Sequence, residues 1–153
     1  MNLINIGKNE LLKINENDIY FITIPGRMGD EDSVTIITKD FNCYRVSGLM
    51  YPSMDKNDQV RFKDLETAFP KWKEAFTNEG DFSKYKVIYM GFGNKLCVDK
   101  NIYDEFIVYL NNTIKNNEHH DEFLLDNGEY NPAIYYSSWS IAFDNMVNDK
   151  IKK

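Results

Sequence analysis

The chain has 153 residues, enough for one domain and too few for two ordinary ones. Hydrophobic residues make up 42% and aromatics 14%, so a packed core is expected and general disorder is excluded by composition. A formal charge of −6 and a pI near 4.9 disfavour a nucleic-acid partner, which needs clustered Lys and Arg, and suit solubility or attraction of a basic partner.

Residues 1–17 carry scattered apolar positions with weak periodicity, room for a short strand or turn. Met1-Asn2-Leu3-Ile4-Asn5-Ile6 has no basic head followed by an apolar stretch, so no secretory leader is expected. The first firm strand is 18–24, β-branched and aromatic, ended by Pro25-Gly26. The polar loop after it carries Asp30-Glu31-Asp32, which lacks the alternation of an EF-hand calcium loop and reads as charge displayed to solvent or to a basic partner. A second strand covers 33–38, Asp40-Phe41-Asn42 makes a tight turn, and a third strand covers 43–51 before Pro52. Short connections between the three predict an antiparallel meander.

Residues 53–60 are polar and loop-like. Phe62, Leu65, Phe69, Trp72 and Phe76 then recur at helical steps, and Pro70 either kinks that helix or starts a second at its first turn. This stripe reads mainly as core. Trp72 and the Tyr135-Tyr136/Trp139 group are the aromatics whose partial exposure would supply an interface hot spot. Strand 85–90, a Gly91-Phe92-Gly93-Asn94 hairpin turn and strand 95–98 follow. Asp99 is placed to cap a helix whose stripe is Ile102, Tyr103, Phe106, Tyr109, Leu110, Thr113 and Ile114. From 115 to 131 the chain is acidic and irregular, with Glu118, Asp121, Glu122, Asp126 and Glu129 against Lys115, and Phe123-Leu124-Leu125 is expected to tuck against the core. Asn131-Pro132 reads as N-cap and first residue of a terminal helix carrying Trp139, Ala142, Phe143, Met146, Val147 and Ile151. Residues 133–138 stay open between helix and strand, because Tyr135 and Tyr136 favour strands.

The order βββ-α-ββ-α-α predicts a single α+β domain over 1–153, an antiparallel sheet of about five strands with three or four helices packed mainly on one face. No apolar run approaches the roughly 20 residues of a membrane span, so no membrane partner is expected.

Catalytic signatures are missing from the pattern. His119 and His120 are adjacent and have no third histidine to complete a triad or zinc site. Gly91-Phe92-Gly93-Asn94 is neither GxGxxG nor a P-loop. Cys43 and Cys97 are isolated in apolar strands and read as buried free thiols, although spacing alone leaves a Cys43–Cys97 bridge open. Ser137, Ser138 and Ser140 lack a GxSxG context. Neither enzymatic activity, a metal nor a cofactor is expected. The alternative is a small enzyme or small-molecule-binding protein with a pocket lined by Tyr20, Tyr44, Tyr89 and Trp139.

Lys86-Val87-Ile88-Tyr89-Met90-Gly91-Phe92-Gly93-Asn94-Lys95-Leu96-Cys97-Val98, followed by Ile102-Tyr103-Asp104-Glu105-Phe106, resembles a strand–turn–strand–helix unit of small bacterial immunity proteins of the contact-dependent growth inhibition type. The resemblance implies cytoplasmic residence and a monomer that binds the C-terminal toxin domain of a cell-surface effector. Such toxins are often nucleases with basic sites, and the immunity protein occludes the active site or the substrate path. The partner-binding residues expected from charge and aromaticity are Asp30, Glu31, Asp32, Glu118, Asp121, Glu122, Asp126, Glu129 and Tyr130.

Overall fold

The computed structural model describes residues 2–24, 33–47, 60–77, 84–91, 93–116 and 120–151. Its strands are β1 (Asn2–Asn5), β2 (Ile19–Ile24), β3 (Ser33–Thr38), β4 (Asn42–Ser47), β5 (Tyr85–Tyr89) and β6 (Lys95–Asp99). Its helices are α1 (Lys8–Leu11), α2 (Phe62–Ala68), α3 (Lys73–Thr77), α4 (Tyr103–Lys115) and α5 (Pro132–Ile151). Single 3-10 turns lie at Glu16–Asp18, Pro70–Trp72 and His120–Phe123.

The strands form one sheet in the order β1-β4-β3-β2-β6-β5. The β2-β3-β4 meander and the β5-β6 hairpin are antiparallel, as the short connections predict. Two features correct the sequence expectation. First, β1 is a sixth strand and runs parallel to β4, with Leu3 beside Cys43 and Ile4 beside Tyr44, so the sheet is mixed. Nothing local announces this, because the partner lies some forty positions along the chain and β1 sits at an edge.

Second, helices cover both faces. Ile22, Val34, Ile36, Val46, Tyr85 and Cys97 face α1, α2 and α3, while Phe21, Ile37, Cys43, Leu96 and Val98 face α4 and α5. Side chains alternate across a strand, and here both sets are apolar. A sheet that is apolar on both faces needs a layer on each.

In the first layer the Phe62–Phe76 stripe runs on through Pro70. Phe69 leaves the helical region (φ −128°, ψ 72°), and Pro70 opens the next turn, where its missing N–H costs nothing. Trp72 is fully buried, in keeping with the core reading of this stripe, and so offers no interface anchor. It stacks on Tyr85 at 5.1 Å, and its indole N–H points to the Glu16 carbonyl at 3.4 Å.

The polar residues of β6 lie on this same face. The Lys95 ammonium donates to the Ala75 carbonyl at 2.8 Å, and Lys71 pairs with the buried Asp99 carboxylate at 3.2 Å. Asp99 is not the helix cap. Its other oxygen accepts the Asn101 N–H at 2.8 Å, and α4 begins at Tyr103 with Ile102 as the capping residue. The pull of Lys71 keeps the carboxylate on the sheet.

In the second layer Phe21 meets the rings of Phe106 and Phe143 edge-on, each at 4.7 Å, which pins α4 and α5 to the sheet. Residues 133–138 are helical. Asn131 caps α5 through the Ala133 N–H at 3.0 Å, and burial of Ile134 and Ser138 overrides the strand preference of the tyrosines. The helices run antiparallel, tied by Glu105–Lys150 at 3.3 Å and by a hydrogen bond from Tyr109 to Asp149. The turn after β3 puts Phe41 at φ 67°, held by its N–H bond to the Thr38 carbonyl, and its ring packs against this layer.

Cys43 and Cys97 are both buried and free, and they sit on opposite faces of the sheet. Burial pushes the Cys97 thiol from 9.0 up to about 12. Below pH 9 it is protonated in folded and unfolded chains alike. Above that pH the unfolded thiol ionises while the folded one keeps its proton, so stability falls as pH rises toward 12. The loss attributable to this group is about 1 kcal/mol by pH 10. Urea midpoints measured from pH 8 to 10 are expected to converge between wild type and Cys97→Ala as pH rises; parallel curves would refute the assignment.

Candidate protein-binding surface

Residues 120–131, which lead into α5, form a built structure. After the 3-10 turn His120–Phe123, Leu124 and Tyr130 form an antiparallel bridge. The Leu125 N–H bonds to the Glu129 carbonyl at 2.7 Å, and the Gly128 N–H to the Leu125 carbonyl at 2.9 Å. Asn127 accepts the Glu129 N–H at 3.0 Å, and Gly128 takes φ 84°, which glycine adopts without strain. This miniature hairpin runs into the Asn131 cap, so its far end is anchored to α5.

Between residues 121 and 130 stand Asp121, Glu122, Asp126 and Glu129, with no Lys or Arg among them, and all four are exposed. Leu124 and Leu125 are each 41% exposed, which corrects the expectation that they tuck against the core. The tight hairpin turns their side chains outward. Tyr130 is half-buried against the α4–α5 layer. Burial pushes the Tyr135 hydroxyl above its usual value, with Tyr130, Tyr103 and Glu129 adding to the shift. Tyr103, Tyr130 and Tyr135 all pack against the α4–α5 layer, and the phenol of Tyr135 keeps its proton at neutral pH. Tyr136, at 56% exposure, extends the aromatic rim along α5.

Five of the nine expected contact residues, Asp121, Glu122, Asp126, Glu129 and Tyr130, thus lie in one segment. Asp30, Glu31, Asp32 and Glu118 lie outside the described residues. Sequence reasoning missed Tyr103 and named Tyr135 only as a candidate interface aromatic, because α4 and α5 bring them onto the same layer as Tyr130 only in the fold. It also passed over Asn127-Gly128, a dipeptide that signals such a hairpin.

Other expected sites are dispersed. Tyr20 and Trp139 pack on the α4–α5 side and Tyr44 on the other, so the sheet separates the residues of the expected pocket. Gly91 and Gly93 take φ 86° and 78° in the β5–β6 turn, where backbone geometry accounts for both glycines. Among the described residues no three His, Cys, Asp or Glu converge on a metal geometry, and no helix is long and apolar enough to cross a membrane. No family model, no curated protein and no solved structure matches the chain.

Replacing Gly128 by Ala forces a β-carbon into a left-handed position. The expected cost is about 1 kcal/mol, localised to the loop. Hydrogen exchange is expected to speed up at the Leu125 and Glu129 amides while the β2–β3 amides are unchanged; uniform acceleration would contradict this.

Proposed function

We propose that this chain is a protein-binding module, an immunity protein that resides in the cytoplasm as a monomer and neutralises a toxin domain by covering its basic active site or the path to it. One observation carries the reading: the hairpin at 121–130 presents four exposed carboxylates around two exposed leucines, on a backbone closed by its own hydrogen bonds and anchored to α5 through Asn131. Carboxylates without intervening bases raise the association rate and select a cationic partner. Leu124, Leu125 and the tyrosine rim supply the desolvated contact that sets residence time. The strand–turn–strand–helix order of residues 86–106, on which the resemblance to immunity proteins rests, is retained as β5, β6 and α4.

The test is co-expression with the toxin domain encoded immediately upstream. Protection and a one-to-one complex on a sizing column are expected. Reversing charge with Asp126→Lys and Glu129→Lys is expected to slow association about tenfold at low salt, with a smaller effect at high salt. Undiminished killing with no complex would end the reading.

A second reading, a small-molecule-binding protein, is favoured by a cleft of about 490 Å³ beside β1 and α1, lined by Ile4, Ile6, Ile14 and Tyr44 together with Thr38 and Asp40. A thermal-shift screen of common metabolites tests it, because a ligand of the native state raises the melting temperature. No stabilisation at millimolar concentrations would discard it.

A further inference from the structure

A groove of about 380 Å³ runs between the outer faces of α4 and α5, lined by Tyr109, Asn112, Thr113, Asn116, Ile141 and Asn145. None of these residues carries a charge at neutral pH, on a chain whose net charge is −6. Two of its polar groups are already engaged: the Tyr109 hydroxyl bonds to Asp149, and the Thr113 hydroxyl donates to the Tyr109 carbonyl at 2.8 Å. The carboxamides of Asn112, Asn116 and Asn145 have no hydrogen-bond partner among the described residues, and all three are exposed.

Their spacing fits the backbone of an extended peptide. The Asn116 N–H bonds to the Asn112 carbonyl at 3.0 Å, so the two residues stand one turn apart on the same face of α4. That turn advances about 6 Å along the axis. Two residues of extended chain advance roughly 6.6–6.8 Å. A carboxamide offers one acceptor and an N–H donor pair, the complement of a peptide unit. Asn112 and Asn116 are therefore in step with alternate peptide units of an extended segment lying along the groove. Asn145 stands on the opposite wall, and Ile141, 53% exposed, gives an apolar contact for a side chain. From Tyr109 to Asn116 the groove spans about 10 Å, or three extended residues. A neutral groove on an acidic chain suits a main chain better than a charged side chain.

We infer that the α4–α5 groove binds an extended polypeptide segment through its backbone amides, with little dependence on side-chain sequence. The site is separate from the acidic hairpin, and its test needs no toxin, so the two readings fail independently.

The probe is the capped peptide acetyl-Ser-Val-Ser-Val-Ser-amide, titrated into the full chain while the side-chain amide signals of Asn112, Asn116 and Asn145 are followed by NMR. Saturable shifts confined to the groove are expected. Asn112→Ala with Asn116→Ala is expected to weaken binding about tenfold or more, since each removes a donor and an acceptor. N-methylation of the valine amides is expected to do the same. Asn116→Asp, of the same shape but lacking the donor, gives a second reading should the double variant lose its fold. No shift at the solubility limit, or undiminished binding of the N-methylated peptide, would overturn the inference. Shifts produced by cellopentaose and not by the peptide would assign the groove to carbohydrate and overturn it equally.

Discussion

Strand β6 is buried along its whole length and on both faces, and the architecture follows from that condition. It pairs with β2 on one side and β5 on the other. Leu96 and Val98 join the core under α4 and α5, while Cys97 joins the core under α2 and α3. Lys95 and Asp99 would be costly so deep without partners. The Ala75 carbonyl and Lys71 meet them, and both partners come from the α2–α3 layer. One strand thus specifies how the first layer docks through polar contacts and how the second docks through apolar ones.

With both faces covered, what remains for recognition is the outside of the helices, the sheet edges and the connections. The two surfaces with the best-defined chemistry both belong to the α4–α5 layer. Phe21 holds that layer at two rings, and the helices tie to each other near Tyr109 and Lys150. The carboxamide groove is therefore walled by two packed helices, and the hairpin at 121–130 is anchored to one of them, α5, through the Asn131 cap. A surface already in its bound shape loses less conformational entropy on association. The two surfaces differ in chemistry: the hairpin carries exposed carboxylates, and the groove is lined by uncharged side chains, three of them carboxamides.

Much of the local structure was legible in the residues themselves. Pro25-Gly26 and the β-branched run before it mark β2, Pro70 divides the α2–α3 region, Asn131-Pro132 starts α5, and Gly91 and Gly93 turn the β5–β6 hairpin. Each of these is decided within a few positions by dihedral preference and capping. The acidic run at 118–129 was equally plain as composition. Other features depended on residues distant in sequence. Asp99 reads as a helix cap until Lys71 arrives to hold it on the sheet. Leu124 and Leu125 read as core until the hairpin turns them outward. The doubled apolarity of β2, β3 and β6 did carry the sign of two covering layers, yet it was read as a single face.

What the sequence by itself determined was most of the strands and helices and the acidity, because propensity, charge and spacing act over short stretches of chain. Only the tertiary structure decided the parallel β1, the helices on both faces, the separation of Cys43 from Cys97, the packing of Tyr103, Tyr130 and Tyr135 on one layer, and the groove between α4 and α5. Those depend on which apolar surfaces meet, and that is set by packing over the whole chain, which no local window contains.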